Sequence, residues 1–281
     1  MIPFIHVPSG HIGPLPIHPF GVLVALAIWV GTTLAVRRAR VVGIDRAVLQ
    51  SLLEWVLVCG FLGGHVLDIL FYRPETIAED PLHLLAIWNG QGSFGGFLGA
   101  LLGALAWRAR TRSVALLPLA EVILSALPFG WAIGRLGCSL AHDHPGRLAP
   151  ANVPLAVGYG APLHVTTLPL GVELRYGASP RFDMGFMELL ASVAISLALL
   201  ATFRRRRAPW FYVAFVLLAY SPVRFLLDFL RAEDVARPDA RYWALTPAQW
   251  CCLIVAGFGL YALARWRRAV RTQVAEAGST V

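Results

Sequence analysis

Seven long apolar runs separated by short polar breaks organise the chain, falling near residues 18–36, 48–71, 84–106, 114–134, 184–203, 210–230 and 247–264. About 20 apolar residues cross a bilayer as a helix, so the pattern predicts an all-α integral membrane protein with about seven transmembrane helices. The third and fourth runs are the softest, being interrupted by Gly and Pro. The breaks alternate in charge. RRAR follows the first run, WRARTR the third, RRRR the fifth and RWRR the seventh. The other breaks hold Glu75, Glu79, Asp80, Asp143, Glu173, Glu233 and Asp234. Because basic loops stay on the cytoplasmic side, the N-terminus is predicted outside and the C-terminus in the cytoplasm. The chain then reads as a single polytopic domain, 1–281, with an extracytoplasmic loop over 137–182 between helices four and five. No internal repeat is visible, which argues against a transporter built from duplicated halves. No cleavable signal peptide is expected, since the first long apolar run follows a Pro/Gly/His-rich lead without a basic region.

Composition agrees. Of 281 residues, 57% are hydrophobic and 14% charged, against roughly 25% charged in soluble domains. The net charge of +8 does not imply nucleic acid, because the arginines lie in short clusters between apolar runs. Lysine is absent, which excludes a retinal Schiff base. The four cysteines show neither metal nor disulfide spacing and are expected to pack as small apolar groups. Neither a metal nor a cofactor is called for. The clusters at Arg204–Arg207 and Arg265–Arg268 fit contacts with anionic membrane lipid.

Against this background the polar residues inside apolar runs stand out. In YSPVRFLLDFLR, Tyr220, Arg224, Asp228 and Arg231 share one helical stripe near the outer end of the sixth run. Arg224 lies within two turns of the outer surface, about 10 Å at 1.5 Å per residue. Arg135, in GRLGC, lies at similar depth on the fourth run. Two arginines from different helices would make an anion site facing the outer leaflet, suited to a phosphate. An ion pair between Arg224 and Asp228, and snorkelling by Arg231, are the plainer alternatives. Glu188 could pair with an arginine or act on substrate. Gly95 and Gly96 either pack helices or let a lipid headgroup approach the backbone. His65 and Asp68 share a face near the outer end of the second run, as a structural pair or as a proton relay. His142, Asp143 and His144 make a poor preformed metal clip but offer a general base.

Several of these stretches occur in an order that resembles one family. SFGGFLG, GRLGC before the long outer loop, DMGFMELL, YSPVRFLLDFLR and LTPAQW, over about Ile17 to Ala264, look like prolipoprotein diacylglyceryl transferase. The resemblance implies transfer of the diacylglyceryl group of phosphatidylglycerol to a cysteine thiol of a lipoprotein precursor, recognised by its signal peptide. Glycerol phosphate leaves, at the outer face of a bacterial inner membrane. It implies that Arg135 holds the phosphate, with Arg224 as a second essential arginine, Asp228 as its acidic companion, and Glu188 as the family's glutamate. The chain also departs from the family. Ser93-Phe94 runs directly into Gly95-Gly96 where a histidine is usual. Phe182, Phe20 and Ala141 stand where a histidine, a tyrosine and an asparagine are expected. The phosphate-binding half is kept and the usual base is missing, so His65, His142, Asp143 or His144 would have to serve. Two other readings stay open: a non-catalytic relative that binds anionic phospholipid or lipoprotein, and a small proton-coupled carrier using His65, Asp68, Asp228 and Glu188.

Overall fold

A computed structural model describes the whole chain except residues 14, 73, 87–89, 151, 236–237 and 279–281. The apolar runs form long helices. These are α1 (Pro19–Val42), α2 (Arg46–Tyr72), α4 (Ser93–Arg110), α5 (Leu116–Ala141), α6 (Met184–Leu200), α7 (Phe211–Leu227) and α8 (Pro247–Gly278), with a short α3 (Glu75–Glu79) after α2. Five segments are long and apolar enough to cross a membrane: Pro19–Val42, Arg46–Phe71, Leu116–Ala141, Phe211–Leu230 and Pro247–Glu276. The third run differs from expectation. Its helix starts only at Ser93, because Asp80 caps a 3-10 turn over Pro81–Leu85 and Gly90 adopts a left-handed φ of 88°. Residues 87–89 of that run lie outside the described residues.

The expected loop over 137–182 is largely regular structure. Helix α5 continues through Ala141, and the chain then builds β4 (Pro145–Leu148), β5 (Ala156–Thr167) and β6 (Glu173–Asp183). Strand β6 is central. β5 pairs antiparallel along one side, while β4 and the N-terminal β1 (Phe4–His6) pair antiparallel with its two ends on the other. A separate hairpin joins β2 (Gly10–Ile12) to β3 (Leu15–Ile17). The longer strands β5 and β6 are broken by register shifts and carry glycine and proline, and the others are only three or four residues long, so none competes with the apolar runs in the sequence.

Helix packing follows from where side chains are small. Helix α2 lies on α4 with the backbones in contact: a Cβ at Gly63 would sit 2.7 Å from the Gly95 carbonyl, and one at Gly99 would collide with the Cys59 carbonyl. The α1–α5 pair is similarly tight at Gly130. A carboxylate fixes α7. Glu121 of α5 accepts from the backbone N–H groups of Tyr212 (3.1 Å) and Val213 (2.9 Å), satisfying two donors that the first turn of any helix leaves open. At the end of α1, Arg38 bonds the Phe203 carbonyl and Arg206 Nε bonds that of Val41 at 3.2 Å. The basic last turns of α1 and the basic segment after α6 therefore meet at one end of the bundle. Arg135, 19 residues along α5 from Leu116, is about 28 Å toward the other end.

Two outcomes check this packing. Gly99→Ala is expected to destabilise the protein by about 1–3 kcal/mol through overpacking, whereas Gly257→Ala, with open space around it, is expected to be neutral or mildly stabilising. Thermal midpoints of the detergent-purified variants decide it. Glu121→Ala is expected to cost about 1 kcal/mol as a lost helix cap, read the same way.

Candidate active site

Three helices bring their polar residues together at the end opposite the basic segments. Glu188 lies one turn into α6, and its side chain is 2% exposed. One carboxylate oxygen takes Arg135 Nη2 of α5 at 2.9 Å and the Tyr220 hydroxyl of α7 at 2.8 Å; the other lies 3.4 Å from Arg224 Nε of α7. The charges continue in alternation. Arg224 also pairs with Asp228, Asp228 with Arg231 Nε at 2.9 Å, and Arg231 with Asp239. Three guanidiniums and three carboxylates thus form one chain with no net charge. Its inner members are almost fully buried, an arrangement tolerable only because every charge has an opposite neighbour.

The outer end of this chain is tied to α8. Thr246 and Gln249 form a reciprocal cap: Thr246 N–H donates to Gln249 Oε1 at 2.9 Å, and Gln249 N–H to Thr246 Oγ1 at 3.2 Å. The Thr246 hydroxyl also bonds Asp228, and Gln249 Nε2 bonds the Phe225 carbonyl of α7 at 3.1 Å. The signal for this was present in LTPAQW as Thr-x-x-Gln with Pro at the first helical position.

Arg135 keeps donor capacity in reserve. Its guanidinium lies 4.7 Å above the Trp131 ring, and Nη1 is 3.8 Å from Cys138 Sγ. Its buried Nε has no acceptor among the described residues, and neither has Trp131 Nε1 one turn earlier on the same helix. Unsatisfied buried donors are rare and call for an explanation. Two on adjacent turns beside a buried cation suit an anionic acceptor. Trp131 escaped the sequence reading because an aromatic in an apolar run carries no signal of its own.

The residues after α5 divide into two tasks. His142 closes the helix in a left-handed conformation, φ 50°. Its Nε2 accepts from Ile5 N–H at 3.2 Å, leaving Nδ1 to donate to Asp183 at 2.7 Å, and Phe4 stacks on the ring at 3.7 Å. Asp183 in turn caps α6 through Phe186 N–H at 2.8 Å and accepts from the Tyr159 hydroxyl at 2.8 Å. Burial, and then the charge of Asp183, push the Tyr159 phenol well above its usual range, so it remains a donor. With both ring nitrogens engaged, His142 anchors the sheet to the helices. Asp143 and His144 are freer. They bond each other through Oδ1 and Nδ1, with side chains 45% and 29% exposed. Together with Cys138 they offer ligand atoms all within 4.8 Å of one another. His144 is also near enough to Glu188 for their charges to interact.

Other expected site residues sit elsewhere. Gly95 faces the Gly63 carbonyl and Leu67 of α2, and Gly96 faces Gly60, so both belong to the helix contact. The buried His65 ring approaches the Gly90 and His83 carbonyls at 3.2 and 3.1 Å, holding the segment between α2 and α4, and Asp68 packs beside Gly92. Both ring nitrogens of His65 are taken up by this segment and not by the arginine chain.

Comparison with known proteins places the chain. The family described as prolipoprotein diacylglyceryl transferase matches residues 9–265. A protein of Chromohalobacter salexigens named phosphatidylglycerol–prolipoprotein diacylglyceryl transferase is 30% identical over 258 residues, covering 92% of this chain and 90% of the relative. Proteins of the same name from Methylibium petroleiphilum (28% over 257 residues, 89% and 92%) and Erwinia tasmaniensis (30% over 234 residues, 79% and 80%) are also similar. With most of its length matched, this chain belongs to the prolipoprotein diacylglyceryl transferase family.

Proposed function

We propose that this protein transfers the diacylglyceryl group of phosphatidylglycerol to the cysteine thiol of a lipoprotein precursor, releasing glycerol phosphate. The observation that carries the reading is the convergence of Arg135 and Arg224 from separate helices on Glu188, with Arg135 Nε and Trp131 Nε1 buried and unsatisfied beside them. The phosphate of the lipid takes up these donors, and the guanidiniums stabilise the charge that grows on it as the carbon–oxygen bond breaks. Glu188, Tyr220, Asp228 and Arg231 hold the two arginines in place. A free thiol has a pKa of about 8.5 and needs a base at neutral pH. The Asp143–His144 pair takes the position of base: Asp143 holds Nδ1, and the other ring nitrogen is left to accept the thiol proton.

The protein lies as a multi-pass component of a bacterial plasma membrane, its seven long helices spanning it. The N-terminus and the site are at the extracytoplasmic face and the C-terminus is in the cytoplasm. Supporting this orientation, the basic last turns of α1 and the basic segment after α6 meet at the end of the bundle opposite Arg135. The precursor presents its signal peptide from the membrane, so lipid and thiol both approach from the outer leaflet.

Arg135→Ala and Arg224→Ala are each expected to lower transfer about 10²- to 10³-fold, the scale of losing a preorganised donor to developing charge. Proteoliposomes with phosphatidylglycerol and a cysteine-containing precursor peptide, followed by mass spectrometry, supply the measurement. Lipidation at an undiminished rate in either variant removes that arginine from the reaction, and no lipidation by the intact protein sinks the transfer reading. Binding of phosphatidylglycerol without release of glycerol phosphate by the intact protein would instead favour a binding-only relative. His144→Ala is expected to be slow at pH 7 and to recover as pH rises through about 8.5, where the thiol ionises unaided; a parallel pH profile for variant and parent rules His144 out as the base. Glu188→Gln is expected to lose about 3–5 kcal/mol of stability as well as activity, because it leaves buried guanidiniums short of a counter-charge.

A further inference from the structure

The geometry points to a zinc site formed by Cys138, Asp143 and His144, placed to activate the incoming thiol. The inference rests on the transfer reading for its role but not for its existence, and it gives thiol activation to the ion, with Asp143 and His144 as ligands, in place of the Asp143–His144 base. One sulfur, one carboxylate oxygen and one ring nitrogen lie within 4.8 Å of one another. Tetrahedral zinc holds such ligands about 2.0–2.3 Å from the ion and so roughly 3.3–3.8 Å apart, so binding draws Cys138 in and opens the Asp143–His144 hydrogen bond to admit the ion. The clip is fixed from both sides. His142, preceding it, is held by Asp183 and Ile5, and the His144 carbonyl accepts from Met184 N–H at 3.1 Å. The sequence alone offered His142, Asp143 and His144, three consecutive residues that converge poorly. Folding commits His142 to the sheet and brings in Cys138 from the last turn of α5.

Charge and access both suit the ion. A thiolate and a carboxylate balance the ion's two charges, and the charge of neighbouring Arg135 is met separately by Glu188 at 2.9 Å. Asp143 and His144 are part exposed, and three protein ligands leave a fourth position open, the pattern of catalytic rather than structural zinc. A thiol entering that position loses its proton on coordination, and the proton passes to water. The sulfur lone pair then attacks the glyceryl carbon: a carbon–sulfur bond forms as the carbon–oxygen bond breaks. The electron pair leaves on the phosphate oxygen held at Arg135. This supplies the activation for which the family's missing histidine leaves a need.

The test uses the full-length, tag-free protein in detergent, stripped with a chelator and titrated with Co²⁺ as the optical stand-in for Zn²⁺. A sulfur-to-cobalt band in the near ultraviolet, bleached by added Zn²⁺, is expected. Cys138→Ser should abolish it, Cys251→Ser should leave it intact, and Asp143→Ala or His144→Ala should weaken Co²⁺ binding more than tenfold, the low end of the roughly 10- to 100-fold seen on losing even an outer-shell partner. The absence of that band, or its survival in Cys138→Ser, overturns the site. Full lipidation by stripped protein overturns its role in thiol activation while leaving the transfer reading in place. Arg135→Ala that keeps the band yet fails to lipidate supports both; one that keeps the band and lipidates normally supports the metal site and removes Arg135 from the reaction, while an intact protein that shows the band and no lipidation sinks the transfer reading instead.

Discussion

A single buried carboxylate governs this molecule. Glu188 sits between guanidiniums from α5 and α7: among the described residues it is the carboxylate that meets the charge of Arg135, and it shares Arg224 with Asp228. The reverse also holds, because a carboxylate so enclosed needs cations on both sides. The three helices are therefore located by electrostatics at one end, while small residues and apolar contact locate them along the rest of their length. The same alternation runs on through Asp228, Arg231 and Asp239 and brings the start of α8 into register through Thr246. In the proposed reaction the lipid phosphate would bring its charge to this balanced chain at Arg135.

Much of this was legible before any coordinates. Periodic apolar runs announced the long helices, and the charged stripe of YSPVRFLLDFLR marked a polar cluster, within which the plainer expectation of an Arg224–Asp228 ion pair is also realised. The helix at Glu188 carried a weaker signal, one acid in an apolar run. What stayed hidden was whatever depended on partners far away in the chain. His142 reads like Asp143 and His144 until Asp183, forty-one residues on, claims it. Gly95 and Gly96 could serve a lipid or a helix, and only the position of Gly63 decides for the helix. The sheet after α5 was invisible because its strands are bulged and flanked by glycine and proline, so neither alternation nor apolar length marks them.

The division of labour within the loop after α5 gives the departures from the family a physical sense. Losing a histidine from the start of α4 removes a base from a helix whose first turns are pressed against α2, with Gly95 too close to the Gly63 carbonyl for any side chain. The acidic and imidazole groups reappear on the other wall of the site, immediately after Arg135. There the backbone is held by the α5 end on one side and by Met184 N–H on the other. A group that must take a proton from an arriving thiol benefits from partial exposure, which Asp143 and His144 have and the buried arginines do not.

This separation explains why rigidity and reactivity can coexist here. The groups that stabilise a phosphate must be preorganised and dry, since electrostatic stabilisation weakens as water enters. The groups that meet the thiol must be reachable from the membrane surface. Cys138 stands between the two, one face toward Arg135 and the other toward Asp143 and His144. A reaction that breaks a carbon–oxygen bond at the phosphate while forming a carbon–sulfur bond on the opposite side of the same carbon needs that order of groups. Because α5 ends between Arg135 and the Asp143–His144 pair, one helix terminus sets their spacing, and in the proposed reaction a change in where α5 stops would move the thiol relative to the lipid.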